Sequence, residues 1–150
     1  MTVDDAENRL KSALAQLAET QVQDCLLTTL DMIAFVKLRL AEDGGRADGS
    51  DFTFYSVKHS ITRTNKGLQI AYKDFNMTGQ LYASIKPEVK AVSLGVVEVD
   101  IIPRGIDNND KVRGQLKRDG NILYPTEAEI DDAIQAHTQR RVAQFKKLFS

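Results

Sequence analysis

Residues 77–85 read MTGQLYASI, and the fold turns on whether this stretch continues a strand or bends the chain into one. Thr78 is a good N-cap, Gly79 lets the backbone turn tightly, and Leu81 and Ile85, four apart, share one side of a short helix. Pro87 then excludes helix for Lys86 and sends the chain out extended. The spacing predicts a capped stub in which Thr78, Gly79, Leu81 and Ile85 form a structural corner that aims the strand behind it.

Downstream the pattern is β. Segments 85–94 and 96–102 flank Gly95, and Val97, Val99 and Ile101 alternate with Glu98 and Asp100. That period of two predicts an antiparallel pair with one wet face. Residues 103–121, PRGIDNNDKVRGQLKRDGN, hold one Pro, three Gly, three Asn and eight charges, a composition that predicts a long mobile loop. After Pro125, the run Thr126-Glu127-Ala128-Glu129 is a capping box that opens a C-terminal helix. Its acids lie early and its Arg140, Arg141, Lys146 and Lys147 late, as the helix dipole favours. Ile130, Ala133, Ile134, Phe145 and Leu148 form its expected buried face.

Upstream, the chain from Asp4 to about Glu42 is rich in Ala, Leu, Glu, Gln and Lys and reads as a long helix. Leu10, Leu14 and Leu17 make one apolar stripe. Val22, Leu26, Leu30, Ile33 and Leu40 make a second, flanked by Leu27, Ala34, Leu38 and Ala41. The phase slips between Leu17 and Val22, and Thr20 with Gln23 fits a capping box, so a kink or fresh start is expected there. Residues 1–20 are then a candidate separate arm that needs a partner to cover it. Residues 43–51 are a Gly- and Asp-rich loop. Residues 52–72 leave two readings: a hairpin turning at Asn65-Lys66-Gly67, which the β-rich composition favours, or a short helix using Phe54, Val57 and Ile61 followed by a strand over 68–72. The sum is one α+β domain over 1–150: a long N-terminal helix and a C-terminal helix packed on a small antiparallel sheet, with a charged loop at 103–121.

Composition limits the function. The chain has 150 residues, 42% apolar and 27% charged, with a net charge of −1, so no global field draws it to nucleic acid or anionic lipid. A domain of this size buries about 70% of its unfolded surface. Cys25 is the only cysteine, which excludes an intramolecular disulfide and favours a reducing compartment. The acidic start MTVDDAENRL is unlike a secretory leader, and the expectation is a soluble intracellular chain.

Chemistry is sparse. Cys25, His59 and His137 lack metal-ligand spacing. Asp107 to Asp110 begins like a calcium loop, but Val112 stands at its sixth position and Arg118 at its twelfth. Gly44 to Gly49 lacks the Gly-Lys-Ser/Thr ending of a phosphate loop, and neither histidine adjoins a nucleophile motif. No cofactor, metal or catalysis is expected. In the 103–121 segment, Arg104, Lys111, Arg113, Lys117 and Arg118 are the candidate subunit-interface residues. No aromatic residue is interleaved with them, which argues against a single-strand stacking platform.

Thr78-Gly79-Gln80-Leu81 with Ser84-Ile85, the strands ending at Ile102, and Leu123-Tyr124-Pro125-Thr126 resemble the bacteriophage head–tail joining and tail-completion (neck) proteins of the lambdoid long-tailed type. Asp48-Gly49, Tyr55-Ser56, Arg63 and Gly67 extend the resemblance, which runs in order from about Leu30 onward. It implies a non-catalytic virion protein, made in the host cytoplasm and placed at the neck or head–tail junction. There, copies form a homo-oligomeric ring that joins portal and tail proteins. Neither membrane nor sequence-specific nucleic acid is implied as a partner, although packaged DNA would lie close by. Residues 103–121 are expected to order on assembly. The alternatives are a non-catalytic regulatory module that recognises a partner through its N-terminal helix, and a small hydrolase with an unrecognised site.

Overall fold

The structure, a computed structural model, describes residues 3–76, 78–93 and 96–149, with the side chains of 17–19, 106, 108, 148 and 149 left aside. The fold is α+β, with helices flanking a two-stranded antiparallel sheet. The elements run α1 (Val3–Glu42), α2 (Val57–Thr64), α3 (Gln80–Ser84), β1 (Ile85–Ser93), β2 (Val96–Pro103), α4 (Ile106–Asp119) and α5 (Glu127–Phe149).

α1 is one continuous helix of 40 residues, about 60 Å long at 1.5 Å per residue, so Thr20 starts no new helix. Its end is set at Gly44, whose φ of 65° suits glycine and whose N–H bonds the Arg39 carbonyl at 3.0 Å. A Cβ on Gly44 would lie 2.4 Å from the Tyr72 ring, and the Tyr72 hydroxyl donates to the Ala41 carbonyl at the end of α1. Tyr72 thus occupies the space that any larger residue at position 44 would need.

The core is small. Val36, Leu40, Phe52 and Ile122 form the buried cluster, with Phe75, Tyr82 and Leu123 against it. Phe52 and Phe75 meet edge to face at 4.8 Å. The second half of α1 supplies Ile33, Val36 and Leu40 and contacts both strands, while α5 makes its main contact with α1. In the hairpin Ile85 pairs with Pro103 and Ser93 with Val96, with a bulge between Val89 and Ala91. Val97, Val99 and Ile101 are half-buried and Glu98 and Asp100 exposed, as alternation requires. Burial fades toward the hairpin tip, where Val92 and Val96 are exposed.

Residues 106–119 of the expected 103–121 loop are the helix α4. Gly105 and Gly120 bound it, and it holds itself to the body by Val112 and Asp119, seven apart on one face and both buried. One anchor is an acid and Leu116 is exposed, so apolar periodicity is nearly silent there. The favoured hairpin over 52–72 is also replaced. Ser56 caps α2, whose inward residue is Arg63, 1% exposed, while Phe54 and Val57 are 81% and 79% exposed. No strand forms over 68–72.

The corner stands with an altered cap. Gly79, at φ 74°, is the N-cap position of α3, and its N–H bonds Asn76 Oδ1 at 2.8 Å; Thr78 is exposed and does not cap. Leu81 is half-buried and Ile85 buried at the start of β1. The Thr126 box closes as expected. Thr126 Oγ1 accepts from the Glu129 N–H at 3.0 Å, and Glu129 Oε2 accepts from the Thr126 N–H at 2.7 Å. Of the expected α5 core residues, Ala133 is buried and Ile130 half-buried, whereas Ile134 and Phe145 face outward. Leu148 lies outside the described side chains.

Leu40→Ala should cost about 2–5 kcal/mol in urea unfolding, because a fully buried side chain leaves a cavity. Leu38→Ala, at a half-exposed position, should cost less than about 1 kcal/mol. Equal losses at the two positions would contradict this placement of the core.

Candidate partner-binding surfaces

Beneath the surface, polar side chains do much of the joining. Along the α1–α5 seam, Asp24 is buried and accepts from Arg141 Nη1 at 2.8 Å and Gln144 Nε2 at 3.0 Å. Arg140 Nη1 bonds Asp31 at 2.7 Å, and Arg39 Nε bonds Glu129 Oε1 at 2.8 Å. Thr28 Oγ1 donates to the Asp24 carbonyl, so its 3.0 Å contact with His137 places the proton on His137 Nδ1. His137 is therefore a seam residue. Charged groups occupy this seam, while Leu10, Leu14 and Leu38 of α1 and Ile134 and Val142 of α5 are exposed.

A second node forms around Asp74. Its Oδ2 accepts from Arg63 Nη2 at 2.7 Å and Gln69 Nε2 at 2.9 Å. Its Oδ1 accepts from the Tyr55 hydroxyl and the Asn76 N–H, both at 2.9 Å. The rest of the Arg63 fork donates to the Gln69 and Asn76 carbonyls, and its guanidinium lies 4.5 Å from the centre of the Tyr55 ring. Next along the chain, Lys73 Nζ bonds Thr53 Oγ1 and both oxygens of Asp119, tying this segment to α4.

Burial alone would raise the Asp74 carboxyl, but bonds from Asn76, Gln69, Tyr55 and Arg63 outweigh it and hold its pKa below 3.8. Asp119 is likewise lowered against its own burial, through Lys73 and Thr53. Burial and the Asp74 bond push the Tyr55 hydroxyl up to about 12. The His59 imidazole stacks on Tyr55 at 4.9 Å. Its pKa is pressed below 6.5 by burial and then by Arg63, Arg118 and Lys73.

The five sequence-predicted interface residues do not form one patch. Lys111 and Arg118 face a cleft of about 610 Å³ that His59, Arg63 and Lys73 also line. Arg104 leaves the hairpin, its N–H bonded to the Ser84 carbonyl at 2.9 Å, and lines a separate shallow groove that shares Lys111. Arg113 and Lys117 are exposed on α4 outside both.

Apolar exposure is the feature composition concealed. Leu10 and Leu14 lie one turn apart on α1, at 49% and 56% exposed. Ile134, Val142 and Phe145 line the outer side of α5, and Phe54, Val57, Ile61 and Ile70 are exposed on and beside α2. The sequence stripe at Leu10 and Leu14 signalled the first of these. Of the others, Ile134 and Phe145 are expected inward from the sequence, because nothing local shows that Arg141 reaches across to the buried Asp24.

Among the described residues, no group of three or more His, Cys, Asp or Glu is placed to hold a metal, and no helix is long and apolar enough to cross a membrane. Comparison with protein-family models, with curated proteins and with solved structures finds no match.

Asp74→Ala should cost about 3–5 kcal/mol, because it leaves the Arg63 charge buried without its partner. The stability that Asp74 and Asp119 contribute is full above the ordinary carboxylate value of 3.8 and is lost as pH falls through their lower folded values. The urea midpoint should therefore hold steady from about pH 7 to 5 and fall below about pH 4. Asp74→Asn should show a smaller acid fall than the parent.

Proposed function

We propose that this chain is a structural virion protein of a tailed bacteriophage, a ring-forming head–tail connector or tail-completion (neck) component that joins portal and tail. Its partners are then other copies of itself and the neighbouring portal and tail proteins, and it performs no catalysis. The observation that carries the reading is the separation of its exposed apolar surfaces: one on the first half of α1, one on the outside of α5, one around α2. Different surfaces on different elements are what a head-to-tail contact between copies requires, and such contacts make rings where the rotation between copies closes. The corner leading into the hairpin, with the capped helix closing the chain, agrees with the motif order of neck proteins.

α4 also changes what is expected of residues 103–121. They are part of the folded body before assembly, so any contact they make uses a surface already formed. Deleting them would remove Val112 and Asp119 from the body and unfold the domain.

Electron microscopy of purified particles whose genome encodes this chain should show it as a closed ring at the head–tail junction. Its absence from that junction would overturn the reading. Replacing Leu10 and Leu14 together by Glu should leave the helical circular dichroism intact, because substitutions at exposed positions change stability by only about 0.5 kcal/mol. The same variant should fail to enter particles, as judged by immunoblotting of purified virions. Normal incorporation would remove this face of α1 from the interface.

A further inference from the structure

We infer that the cleft between α2 and α4 binds a small organic anion, a carboxylate or phosphate carried on an apolar or planar body. One wall is the α4 face presenting Lys111, Gln115 and Arg118, spaced i, i+4 and i+7 so that all three point the same way. The other wall is Tyr55 and His59, stacked on each other at the start of α2. Phe75 and Leu81 supply further apolar surface. The sequence separates these cations from any aromatic residue; the fold sets them across a cleft from one another.

The charge around the cleft is one-sided. Arg63, Lys73, Lys111 and Arg118 all line it, and among the described residues no Asp or Glu does. Arg63 and Lys73 are themselves paired, with Asp74 and Asp119 respectively. Lys111 has no hydrogen bond or ion pair among the described residues, and Arg118 donates only its Nε, to the Gly114 carbonyl at 3.2 Å. Two cations two helical turns apart therefore face a partly apolar hollow with their strongest donors unused. Burial first, and then Arg63, Arg118 and Lys73, hold the His59 imidazole below its ordinary value. At about 610 Å³ the cleft lies within the range of small-molecule sites, and its mixture of apolar wall and convergent polar groups is typical of them. An anionic head can take the Lys111 and Arg118 donors while its body covers the Tyr55 and Phe75 side.

This inference does not rest on the assembly reading, and its test uses the isolated full chain. The sequence has two histidines, one in the cleft and one in the α1–α5 seam, so NMR of their ring protons gives a probe and an internal control. Titration with phenyl phosphate or benzoate at neutral pH and fixed ionic strength should move His59 saturably and leave His137 in place. Inorganic phosphate should bind at least about tenfold more weakly than phenyl phosphate, since it buries no ring. Lys111→Gln with Arg118→Gln should weaken phenyl phosphate by about tenfold or more, as lost charged hydrogen bonds predict. Lys117→Gln, on α4 but outside the cleft, should change it less than about twofold. Lys111→Gln alone, at an exposed and unbonded position, gives the same direction if the double variant folds poorly. The inference is overturned if His59 and His137 shift together without saturation, or if the Lys111 variants bind as the parent does. It is also overturned if a hexaglutamate peptide moves His59 while phenyl phosphate does not, which would mark an extended polyanion surface.

Discussion

Four consecutive residues, Tyr72 to Phe75, hold the rest of the molecule in place, and the buried Arg63–Asp74 pair holds them. Tyr72 reaches the end of α1, Lys73 reaches Asp119 of α4, Asp74 takes Arg63 of α2, and Phe75 meets Phe52 in the core. The Tyr82 hydroxyl on α3 closes the set by donating to the Asp74 carbonyl. Phe75 adopts a φ of 55°, a conformation that non-glycine residues avoid unless the surroundings demand it. That demand is visible here, because its neighbours on both sides are fixed to different elements. A chain with few fully buried apolar side chains thus gains its specificity from a charge network in which each Asp74 oxygen accepts two hydrogen bonds.

The same economy explains the surface. A seam built from Asp24, Arg140, Arg141 and Glu129 orients α5 on α1, but it uses positions that aliphatic residues would otherwise occupy. Ile33, Val36 and Leu40 stay in the core, whereas Leu10 and Leu14 of α1 and Ile134 and Val142 of α5 face outward. Exposed singly they would need no explanation; grouped on one side of a helix they mark surfaces suited to a further protein. Function read this way lies in the faces the domain presents.

How much was legible in the sequence depended on how local the physics was. The Thr126–Glu129 box is contained in four residues, and the period of two from Val97 to Ile101 reports directly on a half-wet strand, so both were readable. α2 and α4 were not. Each is anchored by a charged residue, Arg63 or Asp119, whose partner is identified only by the folded chain: Asp74 in one case, Lys73 in the other. In α2 the apolar pattern even points the wrong way, since Val57 and Ile61 face out while Arg63 is buried. The cleft was invisible for the same reason, its cations and its aromatic side chains coming from segments about fifty residues apart in the sequence.

The most direct test of this account is native-state hydrogen exchange followed residue by residue. The amides of Leu68, bonded to the Arg63 carbonyl, and Asn76, bonded to Asp74, should exchange only through global unfolding, as slowly as the middle of α1. If those amides exchange as fast as an exposed turn while α1 stays protected, the segment from 68 to 76 is not what holds this fold together.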